Sequence, residues 1–452
     1  MNKWTKLVSM LLCTCMVFSL AACGGAPAPA PQAPASPAPE ASKSEVAPAP
    51  APAPAAGKTQ VQFWHSMGGK NGEILLSVVE AYNKSQDKIE VVPTYQGGYY
   101  DSIAKAQTAI SAGNSPDILQ SGSGQVDILA KEEGVLEDLV PYMTKAGMKV
   151  EDFVPAFLTG MGFPEKPTEL LAFPMGCSTP VMFVNNDLLK KAGLPVPASW
   201  DEMDATAQKL IKAGTVEYGF ALPHDPWYFW MTVGQFGGSS FNAEGTALGC
   251  IEDKTGINAM TTLQNMCKNK TMFFGPATDS DSVCRQMFFD GKVAMYVASI
   301  ANLGSISSGA TFDYSVEFGP KGTVTSGPSG GTSLTLLSAS QNKDAAWEFL
   351  QWLYTSEEGI ATFAVKTGYL PCSYPISKTK IVQDTWASNP NAKKAFDQLQ
   401  YGNNKHMIRG AGDCANSVAA MMEAVLYDSA DVTKQMNTLN DEIKDILAEV
   451  KG

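Results

Sequence analysis

The stretch VQFWHSMGGKNGEILLSVVEAYNKSQDKIEVVPTY, residues 61–95, decides the fold. Val61 to Trp64 is a strand-like run, and the Gly-rich turn HSMGGKNG follows it. Next, Leu75, Val78, Val79 and Tyr82 recur at the spacing of one helix face, and Ile89 to Thr94 reads as a second strand. Strand, helix and strand with short connections make a βαβ unit, which implies a parallel sheet. The theme returns in SPDILQ (115–120), a strand before a turn, and in TSLTLLSAS (332–340), a strand before the helix KDAAWEFLQWL. In that helix Ala346, Phe349, Leu350 and Leu353 form the apolar stripe. The pattern predicts an α/β fold with helices on both sheet faces, and ligands in such folds sit in crevices at strand ends.

Upstream lies a leader and a spacer. Lys3 and Lys6 precede a mostly apolar run from Leu7 to Leu20, too short to span a membrane and the right length for a signal-peptide core. Leu20-Ala21-Ala22-Cys23-Gly24 resembles the bacterial lipobox, in which the cysteine is acylated and begins the mature chain; the plainer alternative is an ordinary signal peptide with Cys23 incidental. From Gly24 to Gly57 there are ten prolines and no aromatic residue. Ala-Pro repeats favour extended polyproline II, and at about 3.1 Å per residue this spacer reaches on the order of 100 Å. The expected division is a signal peptide at 1–22, a lipidated Cys23 and Ala/Pro-rich tether at 23–58, and a folded part at 59–452.

About 395 residues remain, a length that suits two lobes. The formal charge is −12, and loss of the leader lysines takes it to −14, which argues against a nucleic-acid partner and against binding to anionic lipid. Arg285 and Arg409 are the only arginines. Cys177, Cys250, Cys267, Cys284, Cys372 and Cys414 form no CxxC pair, so no metal cluster is expected; one or two disulfides and buried free thiols both remain open.

Enzyme chemistry finds little support. P-loop and HExxH motifs are absent, and His65, His224 and His406 are the only histidines. GSGQVD (122–127) lacks the spacing of a dinucleotide fingerprint, while Glu132-Glu133 and Glu357-Glu358 read as solvated helix surface. A surface hydrolase would need two carboxylates distant in sequence to meet. No catalytic residue, cofactor or metal is expected.

Several ordered motifs resemble one family. VNNDLLKKAGLPVPASWDEM, MFFDGKVAMYVAS, SGGTSLTLLSASQNKDAAWEFLQWLYTSEEG and KTGYLP are similar to segments of the extracellular solute-binding proteins of bacterial ABC importers. FWHSM, VPTYQGGY, NSPDILQ, STPVMFVN and KTGYLP follow the glycerol-3-phosphate-binding branch in order. The resemblance spans residues 60 to 450. It implies a two-lobed periplasmic-binding-protein-like (type II) fold that closes on its ligand by hinge bending. It also implies a monomer that delivers a small polar ligand to ABC permease subunits from the outer face of the membrane. Lobe one is expected at about 59–174 and 315–367 and lobe two at about 175–314 and 368–450, with crossings near Pro174, Asp313 and Tyr369.

The resemblance also assigns ligand residues. Tyr99 matches a cleft tyrosine, Ser178 a serine beside the first crossing, and Trp227 an aromatic platform. Ser299 falls where the chain turns into a helix, Gly331 where backbone approaches closely, and Tyr369 in the polar cage. Each also has a plain structural use: core or rim aromatics, a strand-end cap at Ser178, a helix N-cap at Ser299 and a turn glycine at Gly331. Two positions depart from the branch. Ser123 stands where it has a cleft glutamate, and Asn416 or Ser417 where it has a phosphate-clamping arginine. Arg409, one or two turns earlier, is the substitute on offer, with Arg285 expected to face solvent. Without a bidentate clamp the ligand choice stays open among glycerol-3-phosphate, a glycerophosphodiester and a neutral sugar.

Overall fold

A computed structural model describes residues 57–403 and 407–451. The leader, Cys23, most of the Ala/Pro-rich stretch and His406 lie outside the described residues. Strands β1 (Thr59–His65), β2 (Ile89–Tyr95), β3 (Ile118–Gly122) and β4 (Phe173–Ser178) come first. They are followed by β5 (Pro180–Asn185), β6 (Tyr218–Leu222), β7 (Met272–Phe274), β8 (Val293–Ser299) and β9 (Tyr314–Phe318). The short β10 (Gly327–Pro328), then β11 (Gly330–Leu336) and β12 (Gly402–Asn403), complete the set.

The opening βαβ unit forms as its spacing predicts. In β1, Val61, Phe63 and His65 point to the buried face, and β1 pairs in parallel with β2. The helix Gly69–Ser85 buries Ile74, Leu75, Val78, Val79 and Tyr82. Its last turn is tied to β2 by Asn83, whose amide donates to the Val91 carbonyl at 2.9 Å and accepts the Val91 N–H at 2.8 Å. The first sheet runs β2-β1-β3-β11-β4, with β11 antiparallel to both of its neighbours. The helix Lys343–Thr355 covers it through Ala346, Phe349, Leu350 and Leu353.

The second sheet runs β7-β6-β8-β5-β9. Both faces of β5 are apolar because both are covered: Val181 and Phe183 join the core that continues into the first sheet, while Met182 and Val184 join the other core. That other core is closed by the helices Pro226–Gln235, Thr255–Lys268, Ala415–Leu426 and Val432–Lys451.

The chain changes sheets at places the sequence did not mark. β4 stays in the first sheet through Ser178, so the switch to β5 falls at Thr179 and not near Pro174. Proline is tolerated inside β4 because β4 is an edge strand that needs no donor on its free side. Likewise β9 pairs with β5, so residues 315–318 belong with the second sheet, and the return lies between Phe318 and Gly330 instead of near Asp313. After the helix Thr362–Thr367, Leu370 donates to the Cys177 carbonyl at 2.7 Å, and the helix Pro390–Gln398 then packs on β9.

One side chain ties these passages together. Gln398 donates to Thr179 Oγ1 at 2.9 Å and to the Pro180 carbonyl at 2.7 Å, and it accepts the Gly319 N–H at 2.9 Å. All six cysteines of the described residues are free thiols.

Candidate ligand-binding cleft

The carboxyl ends of β3, β4 and β8, and the loop after β6, face a cleft of about 1260 Å³. That is where an α/β architecture leaves strand-end backbone and loop side chains available to a ligand. The eight residues expected at the site all line this one cavity: Tyr99, Ser123, Ser178, Trp227, Ser299, Gly331, Tyr369 and Arg409.

Tyr99 opens the helix Tyr99–Ser111, and its phenol faces that of Tyr369. Burial, then the neighbouring Tyr369 and the Asp225 charge, holds the Tyr99 hydroxyl well above its ordinary range. Burial likewise pushes Tyr369 up to about 12, so both phenols are neutral hydrogen-bonding groups. The Tyr369 ring lies against Phe363, 5.8 Å between centroids, and is admitted by Gly176, where a Cβ would sit 3.2 Å from the ring.

Ser178 ends β4 opposite Gly330 and is 3 % exposed. Ser299 ends β8, and its hydroxyl oxygen accepts the Ala301 N–H at 3.2 Å, so it caps the short helix Ile300–Asn302 while facing the cleft. Ser123 follows β3 and donates its backbone N–H to the Gly331 carbonyl at 3.0 Å. Gly331 has φ +121, and a Cβ there would fall 1.7 Å from the Gly176 carbonyl oxygen. The close approach that demands glycine is therefore between β11 and β4, at the irregularity in their register.

Trp227 stands in the first turn of the helix Pro226–Gln235, started by Pro226 and capped by Asp225, whose Oδ1 accepts the Trp227 N–H at 2.7 Å. Its indole lies on Gly330, where a Cβ would intrude to 2.7 Å.

Arg409 lines the cleft but is already engaged. Its Nη1 donates to the Ala130 carbonyl at 2.7 Å and the Lys131 carbonyl at 3.4 Å, Nε faces Glu165 at 3.7 Å, and the guanidinium stacks 3.8 Å above the Phe163 ring. Asn416 also lines the cleft. Arg285, expected in solvent, is half-buried and bound to Asp281 at 2.7 Å and to Asn302 at 2.5 Å. That asparagine belongs to the turn Ser299 caps, so Arg285 buttresses the turn from behind.

Gln125 and Asp127 line the cleft too and are not among the residues the resemblance assigns. Both sit in GSGQVD beside Ser123, and a polar residue just past a strand's carboxyl end is itself a ligand signal. Asp127 is 3 % exposed, and its Oδ2 accepts the Gly412 N–H at 2.9 Å. Burial, reinforced by Asp413, raises its carboxyl to about 7 against the pull of the Gly412 N–H and Lys131. Beside it Lys131 pairs with Asp413. Four carboxyl groups line the cleft, Asp127, Asp225, Glu165 and Glu244, against one cationic side chain among the described residues, Arg409.

Two α/β sheets exchanging strands beside a shared strand-end cleft define a two-lobed solute-binding protein. The chain belongs to the bacterial extracellular solute-binding protein family, whose sequence model matches residues 68–360. Among curated relatives, the sn-glycerol-3-phosphate-binding periplasmic protein UgpB of Pectobacterium atrosepticum is 30 % identical over 367 residues, covering 75 % of this chain and 79 % of that protein. Among solved structures, the GacH receptor of Streptomyces glaucescens, studied with acarbose, superposes with a TM-score of 0.77 at 21 % identity, covering 87 % of this chain and 99 % of that one. UgpB of Mycobacterium tuberculosis in complex with glycerophosphocholine gives 0.75 at 24 % identity, with 87 % and 99 % covered.

Proposed function

We propose that this chain is the ligand-capturing lipoprotein of an ABC importer, and that its ligand is an uncharged polyhydroxy compound of the saccharide class. Cys23 carries the lipid anchor, the Ala/Pro-rich stretch is the tether, and the protein delivers its ligand unchanged to permease subunits. A tethered catcher stays near its transporter, which raises the effective concentration there.

The observation that carries the ligand class is the state of Arg409. A phosphate clamp needs guanidinium donors aimed at the ligand, and here Nη1 serves two backbone carbonyls while Nε faces a carboxylate. Asp225, Glu165 and Glu244 in the lining are unfavourable to an anion, and Asp127, raised to about 7, adds part of a charge near neutral pH. The phenols of Tyr99 and Tyr369, the hydroxyls of Ser123, Ser178 and Ser299, and the indole of Trp227 suit hydroxyls set on a carbon skeleton.

The glycerophosphodiester reading has its own support in the UgpB relatives, one of which was solved with glycerophosphocholine. A thermal-shift and calorimetric panel of mannotriose, maltotriose, tagatose, glycerophosphocholine and sn-glycerol-3-phosphate separates the two, because a ligand that binds only the native state raises its melting temperature. A saccharide should give the largest shift. Preferential binding of sn-glycerol-3-phosphate would overturn the neutral-ligand reading, and turnover of any probe would overturn the binding-protein reading.

A further inference from the structure

One side of the cleft is closed by a contact between its two halves. The short helix Val126–Leu129 follows β3, and its Ile128 and Leu129 belong to the core that continues into the first sheet. The segment 408–413 leads into the helix Ala415–Leu426 of the other core. Ile408 packs on that core, and Gly410 lies on Leu447 and Val450 of the helix Val432–Lys451. Between the two, the Gly412 N–H donates to Asp127 Oδ2 at 2.9 Å, Lys131 pairs with Asp413, and Arg409 donates to the Ala130 carbonyl at 2.7 Å. Gly412 is seated flat on its partner: a Cβ there would come 2.7 Å from Ile128 Cγ1 and 3.0 Å from Asp127 Oδ1. Asp127, Arg409 and Gly412 all line the cleft, so this clasp is part of its wall.

Asp127 is the member of the clasp whose charge changes. Burial is the largest influence on its carboxyl and raises it to about 7 from an ordinary value of 3.8, because the charged form loses its water. The other groups that face it are few. The Gly412 N–H and Lys131 favour the charged form, Asp413 opposes it, and Lys131 and Asp413 are paired with each other. Tyr100, from the helix Tyr99–Ser111, and Cys414 are held above their ordinary ranges by burial and stay neutral. Arg409 is turned to the 130–131 carbonyls and to Glu165. Part of the cover over Asp127 is thus Gly412, carried by the other half of the molecule, and it is lost when the halves part.

A two-lobed binding protein admits its ligand with the lobes apart and holds it with them together. We propose that this clasp ties closure on the ligand to proton uptake: Asp127 is ionised and hydrated while the lobes are apart, and takes up a proton from solvent as Gly412 seats on it. A carboxylic acid still accepts the Gly412 N–H through its unprotonated oxygen, so the contact survives and only the buried charge is removed. The sign follows from linkage. The closed form holds the proton more tightly, so affinity is full below the ordinary carboxylate range, falls as pH rises toward about 7, and levels off above it. The device is independent of ligand class, since it acts through closure and not through a ligand contact. At an extracytoplasmic site, ambient pH then sets how tightly the ligand is held.

Calorimetry with mannotriose, maltotriose, tagatose and glycerophosphocholine tests the clasp, because none of these probes itself titrates in the range used. Binding is measured at about pH 5.5 and pH 7, in two buffers of different ionisation enthalpy, which counts the protons taken up. With any probe that binds, the wild type should take up close to one proton per bound molecule at the lower pH, and its dissociation constant should rise by about tenfold to the higher. Asp127→Asn keeps an acceptor for Gly412 and cannot titrate; it should take up no proton and hold its dissociation constant within about twofold. Should Asp127→Asn melt far below the wild type, Gly412→Ala replaces it: the added Cβ meets Ile128, so Asp127 stays hydrated and the uptake should be lost. Wild-type binding without proton uptake would overturn the proposal, and so would the same uptake in either variant. If no probe binds, small-angle scattering of the unliganded protein decides. The wild type should become more compact between about pH 8 and pH 5.5 and Asp127→Asn should not, whereas equal wild-type dimensions at both would overturn it.

Discussion

Arg409 shows what a single residue's surroundings add to its identity. In sequence it is one of two arginines and the only one near the C-terminal part of the cleft, so a phosphate clamp is a natural assignment. In space its guanidinium holds the segment 130–131 and the Phe163 ring beside the segment 407–413. A residue that binds ligand and one that binds its own chain differ in the unliganded protein. Arg409→Ala should lower the unfolding free energy by about 1.5–3 kcal/mol, the range for hydrogen bonds to a charged group, as read from urea denaturation without ligand. A variant as stable as the wild type that nevertheless loses affinity for a phosphorylated compound would restore the clamp. For Gln125 and Asp127 only their place just past a strand end is legible in the sequence; the burial that raises the Asp127 carboxyl to about 7 arises only once the turn is folded.

At the scale of elements, the sequence was legible where burial has a period. The stripes on Gly69–Ser85 and Lys343–Thr355 fell on the buried faces because helical spacing and packing agree there. The passages between sheets have no period. Pro174 reads as punctuation but lies inside an edge strand, and β9 looks like the start of a return to the first sheet although its register pairs it with β5. What fixes the passages is Gln398, distant in sequence, buried, and bonded to Thr179, Pro180 and Gly319. Gln398→Ala would strand the Pro180 carbonyl and the Gly319 N–H away from water. Its expected cost is about 2–5 kcal/mol of unfolding free energy, with Gln398→Glu no milder, because it sets a buried carboxylate against the Pro180 carbonyl although it keeps the acceptor for Gly319. A loss under about 0.5 kcal/mol, the range of ordinary surface substitutions, would show that the passages hold without it.

At the scale of the whole molecule, motif order made the family legible: loose segments from FWHSM to KTGYLP, taken in sequence, lead to the fold that the two sheets display. Ligand charge was not legible, because it depends on which of the chain's many carboxylates and few arginines gather at one cleft. The acidic balance found in the lining matches that of the chain, whose formal charge is −12. Such a field acts on an anion from beyond contact distance at low salt and is screened at higher salt, since the Debye length falls from about 30 Å at 0.01 M to about 8 Å at 0.15 M. An anionic ligand would therefore bind more tightly as salt is added, and a cationic one more weakly. An uncharged saccharide has no net charge for the field to act on, and dipolar contacts with neutral polar groups are too short-ranged to be screened. The dissociation constant of the best saccharide should thus stay within about twofold between those two salt concentrations. Calorimetry at both concentrations reads the sign directly: a phosphorylated glycerol whose affinity falls as salt is added would mean that the cleft attracts anions despite its carboxylates.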